Sequence, residues 1–277
     1  MNILSLENVK KSYENFELDM SFDIPRGSIV GLVGRNGAGK TTCIKLIGGA
    51  IKKEGGRVEL LDYEIEKLPI AEKEKLAICY EDLYMYHEYN AYDIQRIMEN
   101  IYKTWDSNKF YELTQAFQLD YSQRIKEYSR GMKMKLSIAI ALSHATELIV
   151  MDEATSGLDP VARREILDIL RDFVQDENKS VLISSHITSD LEKICDYIVF
   201  VHDGRVVLNR SIDELSEDFA ILKCSEQDFD KVDKQAIIGF EKSKFGVEAL
   251  VYRNRVHEGI LDNADLEDIL GFISKEK

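Results

Sequence analysis

The sequence predicts an α/β fold with a mostly parallel core sheet, an antiparallel β subdomain, a helical insert and a small C-terminal α+β extension. Nearly continuous apolar runs at 28–34, 147–152 and 180–185 are typical of strands that are covered on both faces. Residues 161–178, between the last two runs, place apolar side chains at helical intervals. A strand, a helix and a second strand in this order form the repeating unit of a parallel sheet.

Other segments indicate how the core sheet is extended. Residues 17–24 place apolar side chains on alternate positions, as in a half-buried strand. Asp203 and Gly204 lie between two apolar runs, which predicts a β-hairpin that closes the sheet near residue 210. Apolar residues in the middle of the chain recur at helical spacing, and the tail combines short alternating runs with a last helix. We therefore expect a main domain at 1–217, a helical insert within it at about 85–145, and an accessory α+β extension at 218–277.

The composition excludes several classes of protein. No stretch of the 277 residues approaches the roughly 20 uninterrupted apolar residues of a membrane helix, and the N-terminus lacks the pattern of a signal peptide. We therefore expect the chain to stay in the cytosol. A net charge of −14 opposes general attraction to nucleic acid or anionic lipid, so no nucleic-acid partner is expected and membrane attachment must come through a protein. Four cysteines without a CxxC pair predict reduced, mostly buried thiols.

A glycine-rich loop, GRNGAGKTT, directly follows a predicted strand and begins a predicted helix. It satisfies the pattern GxxxxGK[ST], in which backbone N–H groups and a helix N-terminus attract nucleotide phosphates. Lys40 would reach the β and γ phosphates, Thr41 would bind Mg²⁺, and Thr42 would hold an α-phosphate oxygen. A chance glycine-rich turn would lack this strand and helix context. The predicted ATP-binding residues of the loop are Gly34, Arg35, Asn36, Gly37, Ala38, Gly39, Lys40, Thr41 and Thr42.

Two further strands end in polar residues at the edge where open α/β sheets bind ligands. Asp152 and Glu153 follow the run at 147–151, and His186 follows the run at 180–185. Asp152 is the predicted partner of Mg²⁺, either as a direct ligand or through a group that binds the metal, and Glu153 is placed to activate a water for attack on the γ-phosphate. His186 would bind the γ-phosphate or orient that water. Alternatively, the acidic pair only makes a loop soluble and the histidine is an ordinary surface or core residue. The phosphate loop in the same chain makes both alternatives less favoured.

The segment YSRGMKMKL, residues 128–136, separates this sequence from other phosphate-loop proteins. It resembles the signature motif of ATP-binding cassette (ABC) proteins, usually LSGGQ, and lies 23 residues ahead of Asp152. SGLD at 156–159 is similar to the D-loop of that family, and His186 is similar to its switch histidine. Tyr13 resembles the aromatic residue that stacks on adenine. The resemblance extends over about residues 2–215 and implies the fold of a P-loop ABC ATPase.

The resemblance implies that two such subunits enclose two ATP molecules head to tail. Ser129 and Gly131 would contact the γ-phosphate held by the opposite subunit, and Asp159 of the D-loop would belong to the same nucleotide site. The implied partners are a membrane-spanning permease and a second ABC ATPase, in a homodimer or a heterodimer. The implied location is the cytoplasmic face of the cell membrane, reached only through the permease.

Several positions depart from the family pattern. Glu81 stands where the Q-loop glutamine is usual; a glutamate still holds Mg²⁺ or water but adds negative charge near the metal. Arg130 and Met132 replace glycine and glutamine in the signature, and Ala154 replaces a proline. Signatures of the form SxGM look like those of bacterial exporters for drugs, peptides and polysaccharides. We therefore expect an exporter subunit, whose substrate the sequence does not name.

Two other functions are compatible with a cassette. A soluble cassette protein in translation control or DNA maintenance would carry two fused cassettes or a long coiled coil, and this chain has neither pattern. A regulatory subunit without turnover is suggested by Glu81 and the altered signature. The tail could brace a dimer, or it could sense substrate or a regulator. The tyrosines after the strand at 76–80 could contact the permease or serve ordinary packing: Tyr80, Tyr84, Tyr86, Tyr89 and Tyr92.

Overall fold

The computed structural model describes residues 1–256 and 259–275. Within these residues, ten strands form a larger sheet and four form a smaller one. The strands of the larger sheet are β1 (Asn2–Tyr13), β2 (Phe16–Pro25), β3 (Ile29–Val33), β4 (Gly55–Leu60), β5 (Tyr63–Glu64), β6 (Leu76–Cys79), β7 (Leu148–Met151), β8 (Ser180–Ser185), β9 (Tyr197–His202) and β10 (Arg205–Ser211). Those of the smaller sheet are β11 (Phe219–Cys224), β12 (Ile237–Ser243), β13 (Gly246–Tyr252) and β14 (Ile260–Asn263).

Helices connect the strands and cover the sheets. Among the described residues, no helix has the length and apolar character that crossing a bilayer requires. The α-helices are α1 (Lys40–Ile47), α2 (Ile70–Lys73), α3 (Ala91–Ile101), α4 (Ser107–Ala116), α5 (Arg130–Leu142), α6 (Pro160–Phe173), α7 (Thr188–Ile194), α8 (Ile212–Asp218), α9 (Glu226–Phe229) and α10 (Leu266–Lys275).

The larger sheet has a parallel half and a mainly antiparallel half. Its order is β5-β4-β1-β2-β10-β9-β3-β8-β7-β6, and the neighbours from β9 to β6 are all parallel. Strand β1 pairs antiparallel with β2 and β4, and β9 and β10 form the hairpin around Asp203. The predicted fold class, a mostly parallel core with an antiparallel β subdomain, is confirmed. The two parts share one continuous sheet.

Strand β1 is an element that the sequence analysis does not assign. Its core-facing residues begin on alternate positions, with Leu4 and Leu6 buried. The register with β2 then shifts between Leu6 and Val9, and Asn8 has a φ of 47°. A β-bulge of this kind inserts an extra residue and breaks the period of two that marks a strand in sequence.

The helical insert lies between β6 and β7 and has a core of its own. Helices α3, α4 and α5 bury Ile94, Phe110 and Leu136 against one another. Glu74, which lies just before β6, bonds to the insert. Its carboxylate accepts hydrogen bonds of 3.0 Å from the backbone N–H groups of Lys103 and Thr104. These bonds anchor the insert at the edge of the sheet where β6 begins.

A second anchor lies at the C-terminal end of the insert. His144 follows α5, and its Nδ1 lies 2.7 Å from the backbone carbonyl oxygen of Glu74. The ring of Tyr102 stacks on the imidazole of His144 with 4.0 Å between the ring centres. Burial lowers the pKa of His144, which favours the neutral ring. The connections after α3 and after α5 are therefore both held at the same edge.

The C-terminal part of the chain packs against the main sheet through α10. The smaller sheet has the order β12-β13-β11-β14, and all its pairs are antiparallel. Leu266 and Ile269 of α10 belong to the same apolar cluster as Leu191 and Ile194 of α7. The backbone N–H of Leu266 also donates to Oε1 of Glu192 at 3.4 Å. The boundary between residues 217 and 218 stays a prediction.

We expect Ile269→Ala to lower the free energy of unfolding by about 2–5 kcal/mol, because it leaves a cavity where α10 packs on the core. Ile269 is 2% exposed, whereas Ile260 in the same part of the chain is 71% exposed. The matched variant Ile260→Ala should change stability by less than about 0.5 kcal/mol. Urea unfolding followed by circular dichroism measures both values, and equal costs would contradict the packing described for α10.

Candidate functional site

Three parallel strands end at the same edge of the larger sheet and carry the polar residues of the site. Strand β3 leads into the glycine-rich loop at 34–39, β7 leads into Asp152 and Glu153, and β8 leads to His186. Because β8 lies between β3 and β7, the three chain segments meet at neighbouring positions. The sequence pattern therefore places these residues correctly at one edge.

A cavity of about 460 Å³ opens at this edge. It brings together many residues that the sequence analysis singled out, from the phosphate loop, the Q-loop position and the ends of β1, β7 and β8. Phe16 and Ser156, which were not predicted as site residues, also contribute. The lining residues are Tyr13, Phe16, Asn36, Gly37, Gly39, Lys40, Thr41, Thr42, Glu81, Glu153, Ser156 and His186.

The glycines of the loop let the backbone approach its neighbours closely. A Cβ at Gly34 would come within 2.5 Å of the carbonyl oxygen of Val201. Gly39, directly before α1, has a φ of 110°, and a Cβ there would lie 2.9 Å from the ring of Phe16. A side chain at either position would displace the loop, because neither contact has space for it.

Lys40 is the buried cation of the site. Its Nζ donates to the carbonyl oxygen of Gly34 at 2.7 Å and to that of Arg35 at 3.4 Å. The same Nζ lies 3.2 Å from Oε1 of Glu153. A buried ammonium group requires such oxygen partners because it has lost its hydration. The loop carbonyls and Glu153 therefore hold a positive charge at the wall of the cavity.

Glu153 joins Lys40 to His186. Its Oε2 accepts from Nδ1–H of His186 at 2.7 Å, while its buried Oε1 has no hydrogen-bond partner among the described residues besides the ion pair with Lys40. The backbone of Glu153 has a φ of 51°, a left-handed conformation that costs about 1–2 kcal/mol for a residue with a Cβ. Its N–H donates to Oγ of Ser184 at 2.9 Å. Strain held in this way is common at functional positions.

Asp152 lies behind Glu153, buried from solvent. Oγ of Ser184 donates to Oδ1 of Asp152 at 2.8 Å, so one serine orients both acidic residues. Burial raises the pKa of the Cys43 thiol to about 12, and the negative charge of Asp152 adds to this effect, so the thiol stays neutral. Sequence reasoning missed Ser184. Nothing in the sequence separates it from Ser180 and Ser185 of the same strand.

The remaining residues of the phosphate loop and the adenine-side aromatic have distinct places. Gly34 and Arg35 contribute carbonyl oxygens to Lys40, and Ala38 is buried beneath the loop. Tyr13 is half-exposed at the end of β1, with its ring centre 6.5 Å from that of Phe16. The two rings form one aromatic wall of the cavity. Their proposed contact with adenine stays a prediction.

Ser129, Gly131 and Asp159 lie outside the lining of this cavity. Ser129 caps α5, since its Oγ accepts from the N–H of Met132 at 3.2 Å. Gly131 faces Ala162 near the start of α6, with 3.5 Å from an added Cβ to the Cβ of that residue. Asp159 caps α6, accepting from backbone N–H groups at 3.0 and 3.1 Å. Their predicted contacts with a nucleotide on an opposite subunit stay predictions.

The residues around the cavity fit a magnesium nucleotide. The loop offers backbone N–H groups and a buried ammonium to phosphates. Thr41 and Glu81 line the cavity with a hydroxyl and a carboxylate, and the buried carboxylate of Asp152 lies behind Glu153. These are oxygen ligands that Mg²⁺ prefers. The aromatic wall at Tyr13 and Phe16 offers a flat apolar surface for a base.

Comparison with known proteins confirms the family resemblance that the motifs predict. The family model described as ABC transporter matches residues 18–156. SrtF, a lantibiotic transport ATP-binding protein of Streptococcus pyogenes, is 31% identical over 214 residues, which cover 76% of this chain and 92% of SrtF. The ABC transporter ATP-binding protein YtrB of Bacillus subtilis is 32% identical over 221 residues, which cover 78% of this chain and 75% of YtrB.

Solved structures agree with these relatives. A structure of the ATP-binding subunit of an ABC transporter is 28% identical to this chain, covers 77% of this chain and 91% of that subunit, and superposes with a TM-score of 0.67. The matched range of the family model includes the phosphate loop, and the relatives and this structure each cover about three quarters of the chain. The chain therefore belongs to the ABC ATPase family of transporter ATP-binding proteins.

Proposed function

We propose that this chain hydrolyses Mg-ATP in the cavity at the edge of the larger sheet and thereby drives a separate membrane-spanning permease. The observation that carries the proposal is the position of Glu153, within bonding distance of Lys40 on one side and His186 on the other. A base, a cation and an imidazole in this arrangement can activate a water and stabilise the charge that develops in phosphoryl transfer.

The contacts of Lys40 and Glu153 suggest how each group is used. The γ-phosphate of ATP is a stronger partner for the ammonium of Lys40 than a single carboxylate, because phosphate carries more charge and more acceptor oxygens. When Lys40 turns to the phosphate, Oε1 of Glu153 becomes available to accept a proton from water. His186 then holds Oε2 of Glu153 and fixes the direction of the carboxylate. Mg²⁺ bound through Thr41, Asp152 and Glu81 would neutralise phosphate charge.

We further infer that the active form pairs two cassettes. Ser129, Gly131 and Asp159 lie near the start of α5 and α6, where helix N-termini favour anions, yet outside the cavity of their own subunit. They are placed to complete the site of an opposite cassette. The phosphate loop, the acidic pair, the signature segment and the histidine all occur in this one chain, which permits a homodimer. A heterodimer with a second ABC ATPase would use the same surface.

The proposed partner in the membrane is a permease, and the proposed direction is export. SrtF is named for lantibiotic transport, and the SxGM signature resembles that of exporters. The proposed location is the cytoplasmic face of the cell membrane. Tyr84, Tyr86 and Tyr92, which follow the cavity residue Glu81 in the chain, are exposed, and aromatic residues are enriched at protein interfaces. This tyrosine surface is the proposed contact with the permease.

We expect Glu153→Gln to bind ATP but to lower turnover by about 10²–10⁴-fold, because an amide does not act as a general base. Phosphate release measures turnover, and gel filtration with Mg-ATP tests whether the variant accumulates as a closed dimer. The exposed variant Glu177→Gln is the control and should retain turnover. Normal hydrolysis by Glu153→Gln would show that another group is the base.

Lys40→Ala should weaken ATP binding by about 10–100-fold, because it removes a charged hydrogen-bond donor to the phosphates. Titration with a fluorescent ATP analogue measures the affinity, and urea unfolding of the variant shows whether Glu153 tolerates the loss of its buried partner. Lys45→Ala changes an exposed lysine of the same helix and should bind normally. Equal affinities in both variants would contradict the phosphate-binding role of Lys40.

We expect a cysteine at Tyr86 to form a crosslink with the permease in membranes that contain the active complex. The change is made in a Cys224→Ser background, since the three other cysteines are buried. Phe245→Cys, in the exposed turn before β13, is the control and should give no crosslink to the permease. A crosslink from Phe245→Cys alone would move the interface to the C-terminal sheet.

A further inference from the structure

Two departures from the family pattern contact each other in the folded chain. Nη2 of Arg130 donates to Oε1 of Glu81 at 2.5 Å, although the two residues lie 49 positions apart. Glu81 lines the nucleotide cavity, and Arg130 is the first residue of α5, directly after Ser129. A Q-loop glutamine and a signature glycine would leave no such pair. The two substitutions therefore form one charge-neutral unit at the wall of the site.

The guanidinium of Arg130 also touches the D-loop. A Cβ at Gly157 would lie 2.7 Å from Nη1 of Arg130. Gly157 follows Ser156, which lines the cavity, and precedes the capping residue Asp159. Arg130 thus contacts the Q-loop position and the D-loop at once, from a place in the signature motif.

The pair between Glu81 and Arg130 is well suited to exchange. Its side chains are 51% and 40% exposed, so water and salt weaken their attraction. Arginine keeps its charge at any physiological pH, and its planar donors match phosphate oxygens in pairs. A nucleotide phosphate is therefore a stronger partner for this guanidinium than the carboxylate of Glu81.

We propose that Arg130 is a phosphate-binding residue that acts on the ATP held by a second copy of this chain, and that Glu81 is its counterion in the unpaired subunit. The proposal rests on the paired cassettes of the proposed function and extends it to residues outside the signature consensus. It also accounts for Glu81, because the negative charge that this residue places at the cavity is balanced until ATP and the second copy arrive.

The position of Arg130 points to the opposite nucleotide instead of the nucleotide in its own cavity. Arg130 is absent from the described lining of that cavity, where Lys40 already supplies the buried cation. Its neighbour Ser129 is the residue expected to face the phosphate of the opposite subunit. Formation of the pair of cassettes would therefore transfer Arg130 from Glu81 to that phosphate.

Dimerisation in the Glu153→Gln background tests the proposal. Sedimentation at saturating Mg-ATP gives the dissociation constant of the dimer, and titration at low protein concentration gives ATP affinity of the monomer. Arg130→Ala should weaken the dimer by about 10–100-fold, as expected for loss of a charge-assisted hydrogen bond, and leave monomer affinity unchanged. Arg124→Ala breaks an exposed ion pair with Glu88 on the same insert and should leave the dimer unchanged.

Glu81→Gln tests the counterion role in the same assay. It should tighten the dimer by up to about fivefold, because the guanidinium no longer leaves a charged partner. In the Arg130→Ala background the same change should have no such effect. Additive effects of Glu81→Gln and Arg130→Ala would show that the two residues act independently and would overturn the proposal.

A charge reversal at Arg130 separates phosphate binding from a purely structural link. Glu81→Gln combined with Arg130→Glu keeps an oxygen ligand at position 81 and a hydrogen bond between the two side chains, but directs a carboxylate at the opposite phosphate. We expect this double variant to lose ATP-dependent dimerisation. Dimerisation as strong as in the Glu153→Gln parent would mean that the pair is a structural link only, and the proposal would fall.

Dimerisation of the Glu153→Gln protein itself separates two proposals, the self-pairing of the cassettes and the contact of Arg130 with the opposite phosphate. If Glu153→Gln binds ATP but stays monomeric, self-pairing of this chain is wrong, and the contact proposed for Arg130 is wrong with it. If Glu153→Gln dimerises and Arg130→Ala dimerises equally well, the paired cassettes stand and only the assignment of Arg130 is overturned.

Discussion

The buried ammonium of Lys40 imposes the constraint on which the site depends. A cation removed from water needs oxygen partners on several sides, and here they are the carbonyls of Gly34 and Arg35 and the carboxylate of Glu153. These partners come from the ends of different strands. They meet only if β3 and β7 run parallel and end at one edge, with β8 between them. The order of the parallel strands is thus also the condition for balancing this charge.

Much of this arrangement could be predicted from sequence because its signals are local. Apolar runs mark strands buried on both faces, and the residue directly after each run lies at the functional edge. Strand β1 was not predicted because the bulge at Asn8 interrupts the alternation of apolar and polar residues that identifies a strand. Ser184 was missed for a different reason: its role depends on the neighbouring strand, and a serine inside an apolar run has no distinctive local pattern.

Sequence patterns did not predict contacts between segments that are distant in the chain. Glu81 and Arg130 each appeared as an isolated departure from the family, and only the fold brings them together. The same is true of α10, which looked like the last helix of an accessory unit but shares an apolar cluster with α7. Spacing along the chain predicts neighbours within one element or one repeating unit, whereas these pairs depend on tertiary packing.

The anchoring of the helical insert has a mechanical consequence. Strands β6 and β7 are parallel, so the chain leaves β6 at the nucleotide edge and returns to β7 at the opposite edge. Glu74 and His144 hold the insert at that opposite edge. Between its ends, α5 packs on the main core through Met134 and Ile138, and Arg130 at its start is bonded to Glu81 of the nucleotide cavity. Helix α5 is therefore a rigid connection between the two edges of the sheet, anchored at one and in contact with the nucleotide site at the other.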